Sequence, residues 1–220
     1  MFDDPPIEIE TGPHPDASII WMHGLGADGT DFVPIADELE LPRRPIRFVF
    51  PHAPMQPVTI NAGYVMRAWY DIVGAELDRR EDEAGVRDSA RKVGWLIDRE
   101  RSRGVAARSI VLAGFSQGGA IALFTALRWR ERLAGVMALS CYAPVAAKLA
   151  EEADAANRDV PIFMAHGHDD PVVPYRHAVR SRELLERLGY AVEWHDYPMP
   201  HAVCAEELDA IGAWVRRVLT

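Results

Sequence analysis

A serine flanked by glycines is the feature of this chain that most clearly indicates chemistry. Ser116 is the central residue of Gly114-Phe-Ser-Gln-Gly118, which has the pattern Gly-x-Ser-x-Gly. An apolar run at 110–113 precedes it and small residues follow it, which predicts a strand, a sharp turn and a helix. Such a turn strains the serine backbone and exposes its hydroxyl at the carboxyl end of the strand, as a nucleophile requires. The alternative interpretation is a glycine-rich turn whose serine only caps the helix.

A serine hydroxyl is a weak nucleophile and needs a histidine base that is held by a carboxylate. In this kind of site the chain order is serine, acid, histidine. His201 lies after the last predicted strand and before the last predicted helix, where that order requires it; the competing interpretation is a surface histidine. The acid should follow the strand predicted at 161–165, and there Asp169 and Asp170 are adjacent. Spacing alone does not choose between them.

The same loop has a second interpretation as a metal site. Residues 166–170, His-Gly-His-Asp-Asp, resemble a cluster of metal ligands, and His23 and His52 follow other predicted strands. That arrangement would indicate a metallohydrolase. We expect no metal, because the serine turn already accounts for a reactive site here.

Acyl transfer also needs N–H donors for the negative oxygen that forms during the reaction. The backbone N–H of Gln117, directly after the serine, is one expected donor. The second is expected from the glycine-rich segment 23–29, with the N–H of Leu25 as the donor. The alternatives are an ordinary glycine-rich turn or a phosphate loop, and the latter is improbable because the Gly-Lys-Ser/Thr ending is missing.

The elements that must position these residues follow from an alternation of short apolar runs with amphipathic ones. This pattern predicts an α/β fold with a mostly parallel sheet and helices on both faces. The stretch 51–80 contains three prolines and no sustained period, and loops of that length are usually functional. Strands are predicted at 18–23, 47–50, 109–113, 135–139, 161–165 and 192–195, an antiparallel edge strand at 7–10, helices at about 31–40, 81–103, 118–129, 175–188 and 202–219, and a short surface helix within 146–159.

The composition limits the classes of partner. The 220 residues carry a formal net charge of −9, with 49% hydrophobic and 26% charged residues. This balance is ordinary for a globular protein and argues against nucleic-acid binding. No apolar run approaches the roughly 18 residues that span a bilayer, so we expect no stable membrane insertion. With no signal-peptide pattern at the N-terminus and only Cys141 and Cys204, we expect a cytoplasmic protein with reduced thiols.

The chain resembles the phospholipase/carboxylesterase family of small α/β hydrolases, which includes acyl-protein thioesterases and bacterial carboxylesterases. The resemblance covers nearly the whole chain. It implies that Asp170, the fifth residue of a His-Gly-x-x-Asp motif, is the catalytic acid, with His201 as base and Leu25 and Gln117 as N–H donors. The motifs that carry it are Ile20-Trp-Met-His-Gly-Leu-Gly-Ala-Asp-Gly29, Phe50-Pro-His-Ala-Pro54, Met66-Arg-Ala-Trp-Tyr-Asp71, Gly114-Phe-Ser-Gln-Gly-Gly119, His166-Gly-His-Asp-Asp-Pro-Val-Val-Pro174 and Tyr197-Pro-Met-Pro-His201.

This resemblance implies the α/β-hydrolase fold with a minimal cap or none, as a single domain over residues 1–220. The implied activity is a serine carboxylesterase that hydrolyses short- to medium-chain acyl esters through an acyl-enzyme, without a cofactor. The family alternative is an acyl-protein thioesterase or lysophospholipase, and the alternative of another class is a non-catalytic binding protein on the same fold. The expected partner is a small ester or thioester substrate, and a homodimer is left open.

Two details of the sequence bear on the substrate. In the family the region of Trp69 and Tyr70 shapes the acyl-binding side of the cleft, so both are candidate substrate-binding residues. Their alternative role is to pack the loop onto the body. The chain departs from the common family pattern at Arg67 and Pro200, where relatives often have Pro and Gly.

Overall fold

The computed structural model describes residues 3–74 and 81–220. Numbered in chain order, its strands are β1 Ile7–Glu10, β2 Ala17–Met22, β3 Ile46–Phe50, β4 Met55–Val58, β5 Tyr64–Arg67, β6 Ile110–Phe115, β7 Gly135–Leu139, β8 Ile162–Gly167 and β9 Val192–Tyr197. Its α-helices are α1 Ile35–Glu38, α2 Glu83–Ser102, α3 Gln117–Arg128, α4 Leu149–Glu152, α5 Tyr175–Arg187 and α6 Ala205–Val218.

Seven strands form one sheet in the order β1-β3-β2-β6-β7-β8-β9. Strand β1 runs antiparallel to β3, with Ile7 opposite Phe50, and the other neighbouring pairs are parallel. The predicted antiparallel edge strand is therefore confirmed. Because parallel strands end at the same edge of a sheet, the loops after β2, β6, β8 and β9 meet at one edge, as in other α/β folds.

Apolar layers cover both faces of this sheet. Successive side chains of a strand point to opposite faces, so Ile20 and Met22 of β2 pack toward the core shared with α2, α3 and α5, while Ile19 and Trp21 pack toward α1 and α6. Every residue of β2 is buried. The predicted α/β architecture with helices on both faces is confirmed.

The helix predicted at 31–40 is much shorter in the structure. Only Ile35–Glu38 is helical. Pro34 has no N–H group and is tolerated only at the start of a helix. Upstream, the Asp28 carboxylate accepts hydrogen bonds from the Thr30 N–H and hydroxyl at 2.7 and 2.6 Å, which holds a turn instead. In contrast, the short surface helix predicted within 146–159 is present as α4.

Part of the stretch predicted as an irregular loop is a hairpin. Strands β4 and β5 pair antiparallel with Met55 opposite Arg67, and the turn between them includes Gly63 at φ 76°. A proline is unfavourable inside a strand, and for this reason the sequence pattern around Pro57 did not predict the pairing of β4 with β5. Residues 75–80 of the predicted loop lie outside the described residues.

Candidate active site

Ser116 occupies the sharp turn between β6 and α3. Its backbone has φ 55° and ψ −121°, a conformation that residues other than glycine rarely adopt. A Cβ added to Gly114 would lie 2.2 Å from the carbonyl carbon of Gly118, and one added to Gly118 would lie 2.2 Å from the Met22 oxygen. Both positions therefore require glycine for the strand and helix to cross. The predicted strand, turn and helix around Ser116 are present.

The N-terminus of α3 begins directly after this serine. The first N–H groups of a helix have no intrahelical partner and carry its positive dipole end. The N–H of Gln117, the first residue of α3, is among them. A developing negative charge on an atom bonded to Ser116 would lie beside this positive end.

His201 and Asp170 are joined by a hydrogen bond. The His201 Nδ1–H donates to Asp170 Oδ2 at 2.6 Å, and the other oxygen of Asp170 accepts from the N–H groups of Val172 and Val173, each at 2.8 Å. Burial alone would raise the pKa of Asp170, but the bonds from His201 and these two N–H groups hold it below its usual value. Asp170 is therefore an anion that orients His201.

The geometry shows which of the two adjacent aspartates contacts His201. Asp169 is exposed, and its backbone N–H donates to the Met199 oxygen at 3.2 Å, whereas Asp170 is buried. His166 braces the same loop, because its Nε2 lies 2.8 Å from the Val173 oxygen and 3.3 Å from Asp170 Oδ2. The structure thus brings Asp170, and not Asp169, to His201.

The ring of His201 lies beside the serine turn. Its centroid is 4.6 Å from the centroid of Phe115, the residue before Ser116. Among the described residues the structure shows the His201–Asp170 bond but none between His201 and the Ser116 hydroxyl. Catalytic hydrogen bonds are often long without substrate and tighten in the complex.

The segment with the second predicted N–H donor packs against the serine. A Cβ added to Gly24 would lie 3.4 Å from Ser116 Cβ, which places Leu25 close to the turn. The His23 ring fixes this segment: its Nδ1 lies 2.7 Å from the Gly24 oxygen, and its Nε2 lies 3.0 Å from the Ala53 nitrogen. Because a carbonyl only accepts and an N–H only donates, the proton of His23 is on Nδ1. Burial accordingly lowers the pKa of His23 to about 4.

Trp69 and Tyr70 are buried, with 1% and 3% of their surface exposed. The Trp69 indole N–H donates to the His23 oxygen at 2.8 Å, and the Tyr70 hydroxyl lies 3.1 Å from that of Tyr142. These contacts show that both side chains pack their segment onto the body of the protein. Contact with a substrate stays a prediction.

The residues of the metal interpretation have other contacts. His52 Nδ1 accepts from the Gly29 N–H at 3.1 Å, and His168 lies 3.4 Å from Asp196. Within the described ranges no group of three His, Cys, Asp or Glu side chains is placed to hold a metal ion.

A separate groove of about 570 Å³ lies between α2 and α3 and includes none of the residues discussed above.

Comparison with known proteins identifies the family. Residues 5–219 match the model of the phospholipase/carboxylesterase family. The chain belongs to this family. It is 41% identical to an acyl-protein thioesterase 1 of Neurospora crassa over 217 residues, covering 94% of this chain and 89% of that protein. A crystal structure of Arabidopsis thaliana SOBER1 has a TM-score of 0.87 at 30% identity, over 93% of this chain and 99% of that one. For Zea mays acyl-protein thioesterase 2 the TM-score is 0.86 at 28% identity, over 97% and 99%.

Membership of the phospholipase/carboxylesterase family confirms the predicted α/β-hydrolase fold. It also makes the protein a hydrolase of ester or thioester bonds. No helix among the described residues is long and apolar enough to cross a membrane.

One contact at this site was not predicted from the sequence. The side chain of Gln117 bonds to the backbone of Trp69 and Tyr70, 48 and 47 residues away. The sequence drew attention to the Gln117 N–H, but no local pattern indicates what its carboxamide contacts.

Proposed function

We propose that the protein is a serine hydrolase that cleaves acyl esters and thioesters through an acyl-enzyme. Ser116 is the nucleophile, His201 the base, and Asp170 the anion that orients His201. The N–H groups of Gln117 and Leu25 bind the oxyanion. The observation that supports this most strongly is the His201–Asp170 bond beside a serine held at a positive φ.

The geometry suggests the order of proton transfers. With the His201 Nδ1 proton donated to Asp170, the lone pair of Nε2 is available for the Ser116 proton. The serine oxygen then bonds to the acyl carbon, and the carbonyl oxygen becomes negative between the two N–H donors. Protonated His201 gives its proton to the leaving alcohol or thiol as that bond breaks. Water, deprotonated by His201, then releases the acid from Ser116 by the same steps.

Two substrate classes fit this site. The carboxylesterase interpretation rests on the family and its motifs. The thioesterase interpretation is supported at least as well, because relatives named acyl-protein thioesterase share 36% to 41% identity over more than nine-tenths of this chain. A thiol is more acidic than an alcohol and leaves more readily without protonation. We therefore expect loss of His201 to harm cleavage of an alkyl ester more than cleavage of the matching thioester.

The test compares Ser116→Ala with a matched serine. Ser140 directly follows β7, also has a positive φ of 48°, and is buried, but its hydroxyl has no partner among the described residues. Turnover of an octanoyl nitrophenyl ester and of the octanoyl thioester is measured for both variants. We expect Ser116→Ala to lower kcat by at least about 10⁴-fold and Ser140→Ala to change it less than about threefold.

Each rival has its own result in this experiment. Unchanged turnover in Ser116→Ala would contradict the serine mechanism, and loss of turnover with a chelator would support a metallohydrolase. A non-catalytic protein would show no turnover and no labelling of Ser116 by a fluorophosphonate. The ratio of ester, thioester and lysophospholipid rates in the wild-type protein decides among the substrate classes.

A further inference from the structure

We infer that the side chain of Gln117 is a positioning group that fixes the oxyanion site, a role separate from that of its backbone N–H. This inference rests on the proposed function. The carboxamide Oε1 accepts from the Trp69 N–H at 3.0 Å, and its Nε2 donates to the Tyr70 oxygen at 2.8 Å. Only 3% of Gln117 is exposed, so water does not compete for these bonds.

These two bonds belong to a chain of contacts between the two expected oxyanion donors. Gln117 carries one donor on its own backbone and holds Trp69 with its side chain. The Trp69 indole in turn donates to the His23 oxygen at 2.8 Å. His23 is two residues before Leu25, the other donor, and its ring bonds to the Gly24 oxygen. The spacing of the two N–H groups is thus set partly through the carboxamide.

A carboxamide is the group that this position requires, because it must accept one hydrogen bond and donate another. A carboxylate only accepts, and it would face the Tyr70 oxygen with negative charge. A thioether of similar length makes neither bond, so the Trp69 N–H and the Tyr70 oxygen both lose their hydrogen bond to residue 117. A protonated carboxylic acid, however, both accepts and donates, as the amide does. Burial raises the pKa of a carboxyl group, so this form is accessible at mildly acidic pH.

The experiment measures kcat and KM of Gln117→Glu and Gln117→Met for a nitrophenyl ester across the pH range, each divided by the wild-type value. At about pH 8 we expect kcat of both variants to fall about 10- to 100-fold, because a displaced oxyanion donor costs less than a deleted one. KM should change less than about threefold, because the bonds act mainly in the transition state. As the pH falls toward about 5.5, the Gln117→Glu ratio should recover about tenfold, while the Gln117→Met ratio stays flat.

Ser89→Ala is the matched control. The Ser89 hydroxyl donates to the Trp69 oxygen and so holds the same segment from the other side, but it carries no oxyanion donor. We expect this variant to lower the thermal midpoint and to leave kcat within about threefold of wild type, with no recovery in acid. Thermal midpoints of all three variants separate lost activity from lost folding.

The outcomes distinguish this inference from the proposed function. If the wild-type protein turns over no ester, the proposed function fails. If the wild type is active and both Gln117 variants fold with wild-type kcat, the positioning role is wrong. It is also wrong if Ser89→Ala lowers kcat as much as Gln117→Met, or if Gln117→Glu shows no recovery in acid.

Discussion

The turn of Ser116 and the hairpin segment 51–74 meet at the candidate active site, but they are held by different means. The turn is held by close contacts between main chains, with Gly118 against the backbone of β2. Several bonds of the segment are instead made by side chains, alongside one main-chain bond from the Gly26 N–H to the Arg67 oxygen at 2.8 Å. Arg67 donates to the Ala53 oxygen at 2.8 Å, and the Asp71 carboxylate accepts from the Thr59 N–H and hydroxyl at 2.7 and 2.5 Å.

This difference indicates which positions tolerate substitution and which do not. Where backbone touches backbone, any added atom displaces the strand or helix. Where a side chain supplies the bond, substitution removes one bond and leaves the sheet in place. The hairpin segment also carries the exposed residues Met55, Ile60, Tyr64 and Val65. Substitutions at these side chains do not meet the close main-chain contacts that restrict the turn. We therefore expect substrate preference to be adjustable in the segment and the chemistry to be fixed at the turn.

Among the substitutions that test this comparison, the largest effect is expected at Asp170, in the loop after β8. In Asp170→Asn an amide faces His201 Nδ1 and favours the wrong tautomer, so kcat should fall by about 10³- to 10⁴-fold. Asp169→Asn is the adjacent control and is exposed. It should change kcat less than about twofold, because surface substitutions away from a site have small effects. Ester kinetics of both purified variants test this. Equal losses in the two variants would contradict the assignment of Asp170 as the acid.

The same substitution at two glycines tests the comparison directly. Gly118→Ala places a methyl group 2.2 Å from the Met22 oxygen, whereas a Cβ at Gly74, at the end of the segment, meets none of the described residues within 4 Å. We expect Gly118→Ala to lower the free energy of unfolding by at least about 3 kcal/mol. Gly74→Ala should change it by less than about 1 kcal/mol. Urea unfolding at equilibrium gives both values. A mild effect at Gly118 would show that the turn relaxes easily.

The sequence predicted the turn well because its requirements are local. Two glycines around a serine, after a buried strand, are sufficient to specify it. The loops of Asp170 and His201 could be placed because they follow strands of the same sheet. The hairpin was not predicted, since Pro57 in β4 is unusual for a strand. Two side chains outside the segment help to hold it. One is Gln117, and the other is Asp82, because the Asp82 Oδ2 accepts from the Asp71 N–H at 2.9 Å. Such distant partners leave no periodic pattern in the sequence.

A smaller effect is expected where the segment and the oxyanion loop meet, at His23. Burial lowers its pKa to about 4 in the folded protein, while an unfolded histidine titrates near 6.5. The unfolded chain therefore takes up the proton first, and the free energy of unfolding falls as the pH drops from about 6.5 toward about 4. At about pH 5 this difference in proton uptake at His23 lowers the free energy of unfolding by about 2 kcal/mol relative to neutral pH.

Urea unfolding at about pH 7 and pH 5 measures this dependence. His23→Gln, which does not titrate, should show a drop between the two pH values that is smaller by about 2 kcal/mol. If His23→Gln keeps the full wild-type drop, His23 is not the group responsible.

The smallest effect should come from Arg67, whose side chain bonds to Ala53 within the hairpin segment and to Asp4 near the N-terminus. Its Nη1 donates to the Ala53 oxygen at 2.8 Å, and its Nη2 lies 2.7 Å from the Asp4 carboxylate, which is half exposed. Water and salt screen the second contact. Arg67→Met should therefore lower the free energy of unfolding by about 1 kcal/mol, mostly through the lost bond to Ala53.

Asp4→Asn isolates the ion pair, because it leaves the bond between Arg67 and Ala53 intact. It should lower the free energy of unfolding by less than about 0.5 kcal/mol, and the loss should disappear at about 1 M salt. The main-chain oxygen of Arg67 accepts from the Gly26 N–H at 2.8 Å and is unchanged in either variant. Ester kcat should therefore stay within about threefold of wild type in both. Equal destabilisation by the two substitutions would mean that the ion pair, and not the bond to Ala53, fastens the hairpin.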